Sequence, residues 1–415
     1  MTFFTRSSDE LYCDQVALSE IAERFGTPAY VYSRKAIETR FLAYDRSFGD
    51  VPHQVCFAVK ANSNLAVLNV LVRLGAGFDI VSVGELERVL VAGGNPKGVV
   101  FSGVGKRADE IARALEVGIG CFNVESVDEL KRIDRIAGEM GQCAPISLRV
   151  NPDVDAKTHP YISTGLKENK FGIDIALAPE VYEQARRLPN LEIVGVDCHI
   201  GSQLTELAPY RDAIDRVLAL VDELEHRGIT LSYINFGGGL GIRYTDEIVP
   251  EPTELVAVLL EGMQDRPQTI LIEPGRSIVG NAGVLLTTVE YLKLSEHKNF
   301  CVVDAAMNDL MRPVLYDSVM AIEPVKHRED VPARIFDVVG PVCETGDFLG
   351  KSRKLAVAEG DVLAITGAGA YGFTMSSNYN TRPRAVEIMV DGAQVHVVRQ
   401  RERLEDLWSG EALLP

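Results

Sequence analysis

From about residue 33 to residue 280 the chain repeats one pattern, a short β-branched run followed by an amphipathic stretch of helical period. Side chains alternate every two residues along a strand and every 3.6 around a helix, so each change of period marks a new element. The runs 54–60, 78–82, 99–102, 121–124, 146–150, 193–199, 233–236 and 269–273 predict strands, and 65–74, 84–92, 108–117, 127–139, 209–227 and 253–263 predict helices between them. Strands joined through helices lie parallel. Eight such units predict an α/β fold, a closed (β/α)8 barrel of the TIM type, which needs about 250 residues. A doubly wound open sheet competes with it. No strand leads into a complete dinucleotide fingerprint, however, and the glycine-rich stretches have the wrong spacing for one.

After Arg276 the pattern changes to apolar or alternating runs at 284–294, 300–304, 335–339, 361–366 and 386–399, with few helices between them. The last run turns at Asp391-Gly392, a strong hairpin dipeptide. These runs predict a second, antiparallel β-rich domain, a β-barrel or sandwich. The strand-like stretch 28–32 precedes the barrel and is expected to join that later domain. A length of 415 residues favours two cores over one. The expected division is a barrel over 33–280 and a β-rich domain over 1–32 and 281–415, which completes the active site.

A net charge of −17 disfavours nucleic acid and anionic membrane, both of which require clustered Lys and Arg. Seven cysteines are scattered without close pairs, which fits neither a disulfide framework nor a zinc site. Residues 1–6 lack the apolar stretch of a signal peptide, and no run offers the ~20 apolar residues of a membrane span. A cytoplasmic enzyme acting on a small molecule is expected. No metal site is expected either, since His53, His226, His297, His327 and His396 show no ligand-like grouping.

On the barrel scheme Lys60 ends the first strand, Asp79 lies in the second, His199 ends the sixth, Gly237-Gly238-Gly239 follow the seventh and Glu273 ends the eighth. The C-terminal rim of such barrels carries the chemistry, and phosphate sites form in the loops after strands seven and eight. Those loops here hold the triple glycine and Gly275-Arg276. Glycine lets backbone N–H groups approach an anion, and arginine adds charge and paired donors. Taken alone, a triple glycine is usually only a flexible turn. A lysine held in apolar surroundings loses its proton more readily and can form an imine, although a strand-end lysine reaching water is the plainer reading of Lys60. An amine, a phosphate cradle, a flat histidine and an acid together describe a site for pyridoxal 5'-phosphate (PLP). Glu273 would keep the ring nitrogen protonated, His199 would stack on the ring and Ser202 would donate to the phosphate. Each residue also has a plain reading, as an ordinary strand-end acid or a core histidine.

Further motifs are Thr27-Pro28-Ala29-Tyr30-Val31-Tyr32, Phe57-Ala58-Val59-Lys60-Ala61-Asn62, the stretch 159–165 leading to Lys170-Phe171-Gly172-Ile173, His199-Ile200-Gly201-Ser202-Gln203, Arg312-Pro313-Val314-Leu315-Tyr316, Cys343-Glu344-Thr345-Gly346-Asp347, Tyr371 and the stretch 378–384. In this order they resemble, nearly end to end, the fold-type III, alanine racemase-like PLP-dependent decarboxylases. That resemblance implies a carboxy-lyase whose substrate, meso-2,6-diaminopimelate, yields L-lysine and CO2 as the last step of lysine biosynthesis. It assigns Lys60, His199 and Cys343 to catalysis, with Lys60 carrying PLP covalently and Cys343 donating a proton. It assigns Lys60, Asp79, His199, Ser202, Gly238, Gly239, Glu273, Gly275, Arg276 and Tyr371 to the cofactor. Arg276, Arg312, Tyr316 and Tyr371 would bind the substrate, Glu344 would take its distal ammonium, and a homodimer with shared active sites is implied. Thr345 stands where the family commonly has serine, and Val83 where glycine is frequent. Three rivals are an ornithine- or arginine-type decarboxylase, which has no use for Arg312, a racemase, whose ring nitrogen typically meets a cation, and a non-catalytic PLP carrier or decoy. The stretch 153–170 is expected to cover the site.

Overall fold

A computed structural model of the chain describes residues 3–154 and 170–415, so most of the stretch expected to cover the site, and the motif 159–165, lie outside the described residues. Two compact units are formed, one from Glu38–Ile242 and Ile248–Ser277, the other from Met1–Ile37, Arg243–Glu247 and Ile278–Pro415. Among the described residues no helix is long and apolar enough to cross a membrane.

In the first unit the strands His53–Ala58, Gly77–Ile80, Val99–Phe101, Cys121–Val124, Ala144–Asn151, Leu191–Cys198, Tyr233–Asn235 and Thr269–Ile272 follow one another, each pairing in parallel with the next. The eighth then pairs with the first through Ile272 and Val55, which closes the barrel. Closure leaves no free edge, and the covering helices account for the near-continuous apolar runs that the sequence displays. Phe78, Ile80, Val99, Phe101, Phe122 and Val124 are fully buried.

The helices begin where side chains satisfy their first N–H groups. Asn64 accepts the N–H of Ala66, Ser82 that of Glu85 and Ser126 that of Glu129, opening the helices Leu65–Arg73, Val83–Val91 and Val127–Glu139. Their buried residues recur at helical spacing, as in Leu130, Ile133 and Ala137, and face the strands.

In the second unit Ala29–Ser33 runs antiparallel to Gly283–Lys293 and parallel to Val386–Asp391. Phe300–Val303 and Arg334–Val339 are also parallel. The sheet is therefore mixed rather than antiparallel, which corrects the sequence expectation. Tight hairpins force antiparallel pairing only between neighbours, as at Asp391-Gly392. Ala29–Ser33 arrives from far upstream and a long segment separates the other parallel pair, so neither is bound by that rule. Val31, Val284, Leu286, Ile388 and Val390 form the core. Strand Phe348–Leu355 and a small sheet of Phe4–Ser7, Glu10–Cys13 and Val16–Ala17 were not anticipated, because charged or very short runs carry little strand signal.

Gly195 marks a register shift in the sixth barrel strand, and a Cβ there would collide with the ring of Tyr233 on the seventh. Gly195→Ala should therefore cost about 1–3 kcal/mol in urea unfolding. An unchanged midpoint would show that the bulge has room to spare.

Candidate active site

The first barrel strand ends at Ala58, and Lys60 follows in a short 3-10 turn, Val59–Ala61. Its amine meets the carboxylate of Asp79, which is fully buried in the second strand, while the Lys60 side chain itself is 35% exposed. A carboxylate, not an apolar wall, thus faces the amine, which corrects the surroundings expected for it. The turn is backed by the eighth-strand loop, since the N–H of Ala58 donates to the Pro274 carbonyl at 3.2 Å and a Cβ on Gly275 would stand 3.0 Å from the Cβ atoms of Ala58 and Ala61.

Toward this rim the barrel interior is polar, where such barrels usually hold branched aliphatic side chains. Glu273 is buried, and its Oε1 accepts the amide N–H groups of Asn235 at 2.6 Å and Asn123 at 3.3 Å. Both amides are oriented by their other ends. The Asn235 oxygen accepts the N–H of Gly237 at 2.9 Å, and the Asn123 oxygen accepts the hydroxyl of Ser147 at 2.6 Å. Burial, with Asp79 and Asp197 nearby, pushes Glu273 well above the usual carboxylate range. Among the described residues, Asp79 and Asp197 each keep one buried oxygen without a hydrogen-bond partner. An acid layer of this kind fits a ligand that brings a cation, and the protonated pyridine nitrogen of PLP is such a cation.

His199 follows the sixth strand. Enclosure, together with the charges of Arg149 and Lys60, holds it well below the usual imidazole range, so the ring is neutral. Its Nδ1 accepts the N–H of Gly238 at 3.2 Å, which leaves the proton on Nε2. A Cβ on Gly238 would strike the Glu273 carbonyl, and Gly239, at φ +106°, lies against the Gly201 carbonyl. These glycines let the loops after strands six and seven interlock. The N–H of Leu204 donates to the Gly239 carbonyl at 2.9 Å, and the Gln203 amide bonds both backbone groups of Ile242. Beside them the buried Arg276 donates to the Ser202 hydroxyl at 3.0 Å. A cation, a hydroxyl and closely approachable backbone suit a phosphate.

The structure thus gathers Lys60, Asp79, His199, Ser202, Gly238, Gly239, Glu273, Gly275 and Arg276 on one barrel rim. Arg312, Tyr316, Cys343, Glu344 and Tyr371 belong to the β-rich unit. There Arg312 is buried, with its guanidinium 5.2 Å from the ring centre of Tyr244, 5.3 Å from that of Tyr316, and donating to Ser318 Oγ at 2.9 Å. Tyr371 adopts a left-handed backbone at φ +54°. Cys343 and Glu344 are exposed; Asn380 Oδ1 accepts the Cys343 N–H at 2.9 Å and Glu344 accepts the Tyr379 hydroxyl at 3.1 Å. Asn123, Ser147, Arg149, Asp197 and Asn235 also line this layer and escape the apolar pattern of the sequence. Their signal is a polar residue at an inward position of an otherwise apolar strand.

A family model described as pyridoxal-dependent decarboxylase, pyridoxal binding domain, matches residues 34–280. The barrel and its rim are those of a PLP-dependent decarboxylase. Diaminopimelate decarboxylase of Pseudomonas aeruginosa is 62% identical over 415 residues, which span 100% of both chains. The solved diaminopimelate decarboxylase of Helicobacter pylori complexed with L-lysine superposes with a TM-score of 0.91 at 44% identity, covering 94% of this chain and 98% of that one. That of M. jannaschii in co-complex with L-lysine gives 0.94 at 37%, covering 99% and 98%. The chain belongs to the diaminopimelate decarboxylase family.

Asn235→Ala should remove the shorter of the two amide bonds to Glu273 and the acceptor of the Gly237 N–H at once, at a cost of about 1–3 kcal/mol. PLP titration followed by absorbance should show at least a roughly fivefold weaker dissociation constant. Wild-type affinity would mean that this amide does not organise the site.

Proposed function

We propose that this chain decarboxylates meso-2,6-diaminopimelate to L-lysine and CO2, the last step of lysine synthesis by the diaminopimelate pathway, as a cytoplasmic homodimer using PLP. The observation that carries this reading is the buried acid Glu273, held by two amides on a rim that also presents Lys60, His199, Ser202 and Arg276. Full-length relatives named diaminopimelate decarboxylase, two of them solved with L-lysine, support the substrate.

When bound, PLP accepts the electron pair released as a bond at the substrate's Cα breaks. The chain's own residues hold and orient. Lys60 Nζ would hold the cofactor, with Asp79 fixing the amine between turnovers. His199, neutral and anchored by Gly238, offers a flat face to the ring, and Glu273 holds the proton on the ring nitrogen. Ser202, Gly238, Gly239, Gly275, Arg276 and Tyr371 would take the phosphate side.

A zwitterionic far end needs both signs of charge. Arg312, steadied between two tyrosine rings, offers a fixed fork for a carboxylate, with Arg276, Tyr316 and Tyr371 as further ligands. Glu344 offers the charge for an ammonium. Cys343 is the proposed proton donor to Cα. The exposure of Cys343 and Glu344 suits delivery into the site of a second copy, as a homodimer with shared sites requires. Seven free thiols suit a reducing cytoplasm.

Purified protein with PLP should release CO2 from meso-diaminopimelate and not from ornithine, arginine or alanine. Release from ornithine alone would overturn the substrate assignment. Cys343→Ala should lower kcat by about 100-fold or more while leaving the cofactor's visible absorbance in place. An unchanged kcat would remove the thiol from the reaction.

A further inference from the structure

We propose that Asp197 is a positioning residue for the cofactor, a buried second anion that acts through Glu273 to keep the proton on the ring nitrogen. The proposal rests on the reading that Glu273 faces that nitrogen. Asp197 lies in the sixth barrel strand, two residues before His199. It is 1% exposed and stands level with Arg149 on the fifth strand and Asn235 on the seventh, the residue that donates to Glu273. Its Oδ2 is 3.9 Å from Arg149 Nε, and its Oδ1 has no hydrogen-bond partner among the described residues.

Arg149 is committed elsewhere. It donates to Glu125 at 2.9 Å, and the two oxygens of Glu125 also accept the N–H groups of Gly103 and Gly172. The long contact to Asp197 therefore leaves that carboxylate poorly compensated. Four buried carboxylates, Asp79, Glu125, Asp197 and Glu273, share this layer with two cations, Lys60 and Arg149. Among the described residues the neighbouring thiols of Cys56, Cys121 and Cys198 and phenols of Tyr182 and Tyr233 are pushed above their usual ranges by burial and stay neutral, His199 is held neutral from the other side, and Glu85, which faces Lys60 and Asp79, is raised to about 7 and is common to all the variants compared.

Such an excess of acids in a closed space is costly unless a proton or another cation enters. Burial raises Asp197 to about 7 and holds Glu273 well above the usual carboxylate range, so the cofactor-free layer holds protons near neutrality. A cationic ring nitrogen favours the ionised acids and displaces those protons. A purely structural Asp197 would serve only as a weak partner for Arg149.

The test compares full-length wild type with Asp197→Asn and Asp197→Glu, using PLP as the probe. Calorimetry in buffers of different ionisation heat reports the protons released on binding at pH 7, and absorbance gives the dissociation constant. Asn should release fewer protons, bind PLP about tenfold more weakly and move the alkaline limb of kcat down by about one pH unit. Its cofactor-free melting temperature should not fall, since a neutral isostere replaces a carboxyl that is costly to ionise there. Glu keeps the charge and should restore proton release. Wild-type proton release and affinity in Asp197→Asn, equal behaviour of the two variants, or failure of both to fold would each overturn the proposal. A wild type that takes up no PLP would instead refute the proposed function itself.

Discussion

Glu273 is an acid held inside a barrel by two amides, and the rest of the rim is arranged around the consequences of that burial. A carboxyl in such a place is neutral unless a cation comes close. The amides of Asn123 and Asn235 satisfy the oxygen without supplying a charge, and their own oxygens are turned toward Ser147 and Gly237. The site is thereby set for a ligand that carries the positive charge itself. Asp79 continues the theme on the second strand, where it meets the amine of Lys60.

Backbone economy does the rest. Gly238 and Gly239 stand where a Cβ would meet the Glu273 and Gly201 carbonyls, so the loops after strands six, seven and eight come together at main-chain distance. That closeness fixes His199 through Gly238 and places the Ser202–Arg276 pair next to glycine backbone. In the β-rich unit the same logic recurs at Cys343, whose N–H is held by Asn380, itself in a left-handed backbone at φ +56°. Left-handed residues are tolerated where surrounding bonds over-determine them, a common condition near functional side chains.

The barrel was legible because eight changes of period are hard to mimic, and the rim residues because they stand at strand ends. The strand boundaries moved by at most a few residues; Lys60 and His199 fell just past their strands, since side chains that meet a ligand sit where the ladder stops. The polar layer was not legible. Asn123, Arg149, Asp197 and Asn235 sit inside short apolar runs, and a periodicity that registers only apolar letters passes over the exceptions. The parallel pairings of Ala29–Ser33 with Val386–Asp391 and of Phe300–Val303 with Arg334–Val339 were also out of reach, because they join strands distant in the chain whose direction no turn dictates.

The whole arrangement turns on the amine of Lys60 meeting an aldehyde cofactor over an acid floor. Borohydride reduction of the protein incubated with PLP, followed by proteolysis and mass mapping, tests it most directly. One reduced pyridoxyl adduct is expected, on the peptide containing Lys60. An adduct on a different lysine, or none, would contradict it.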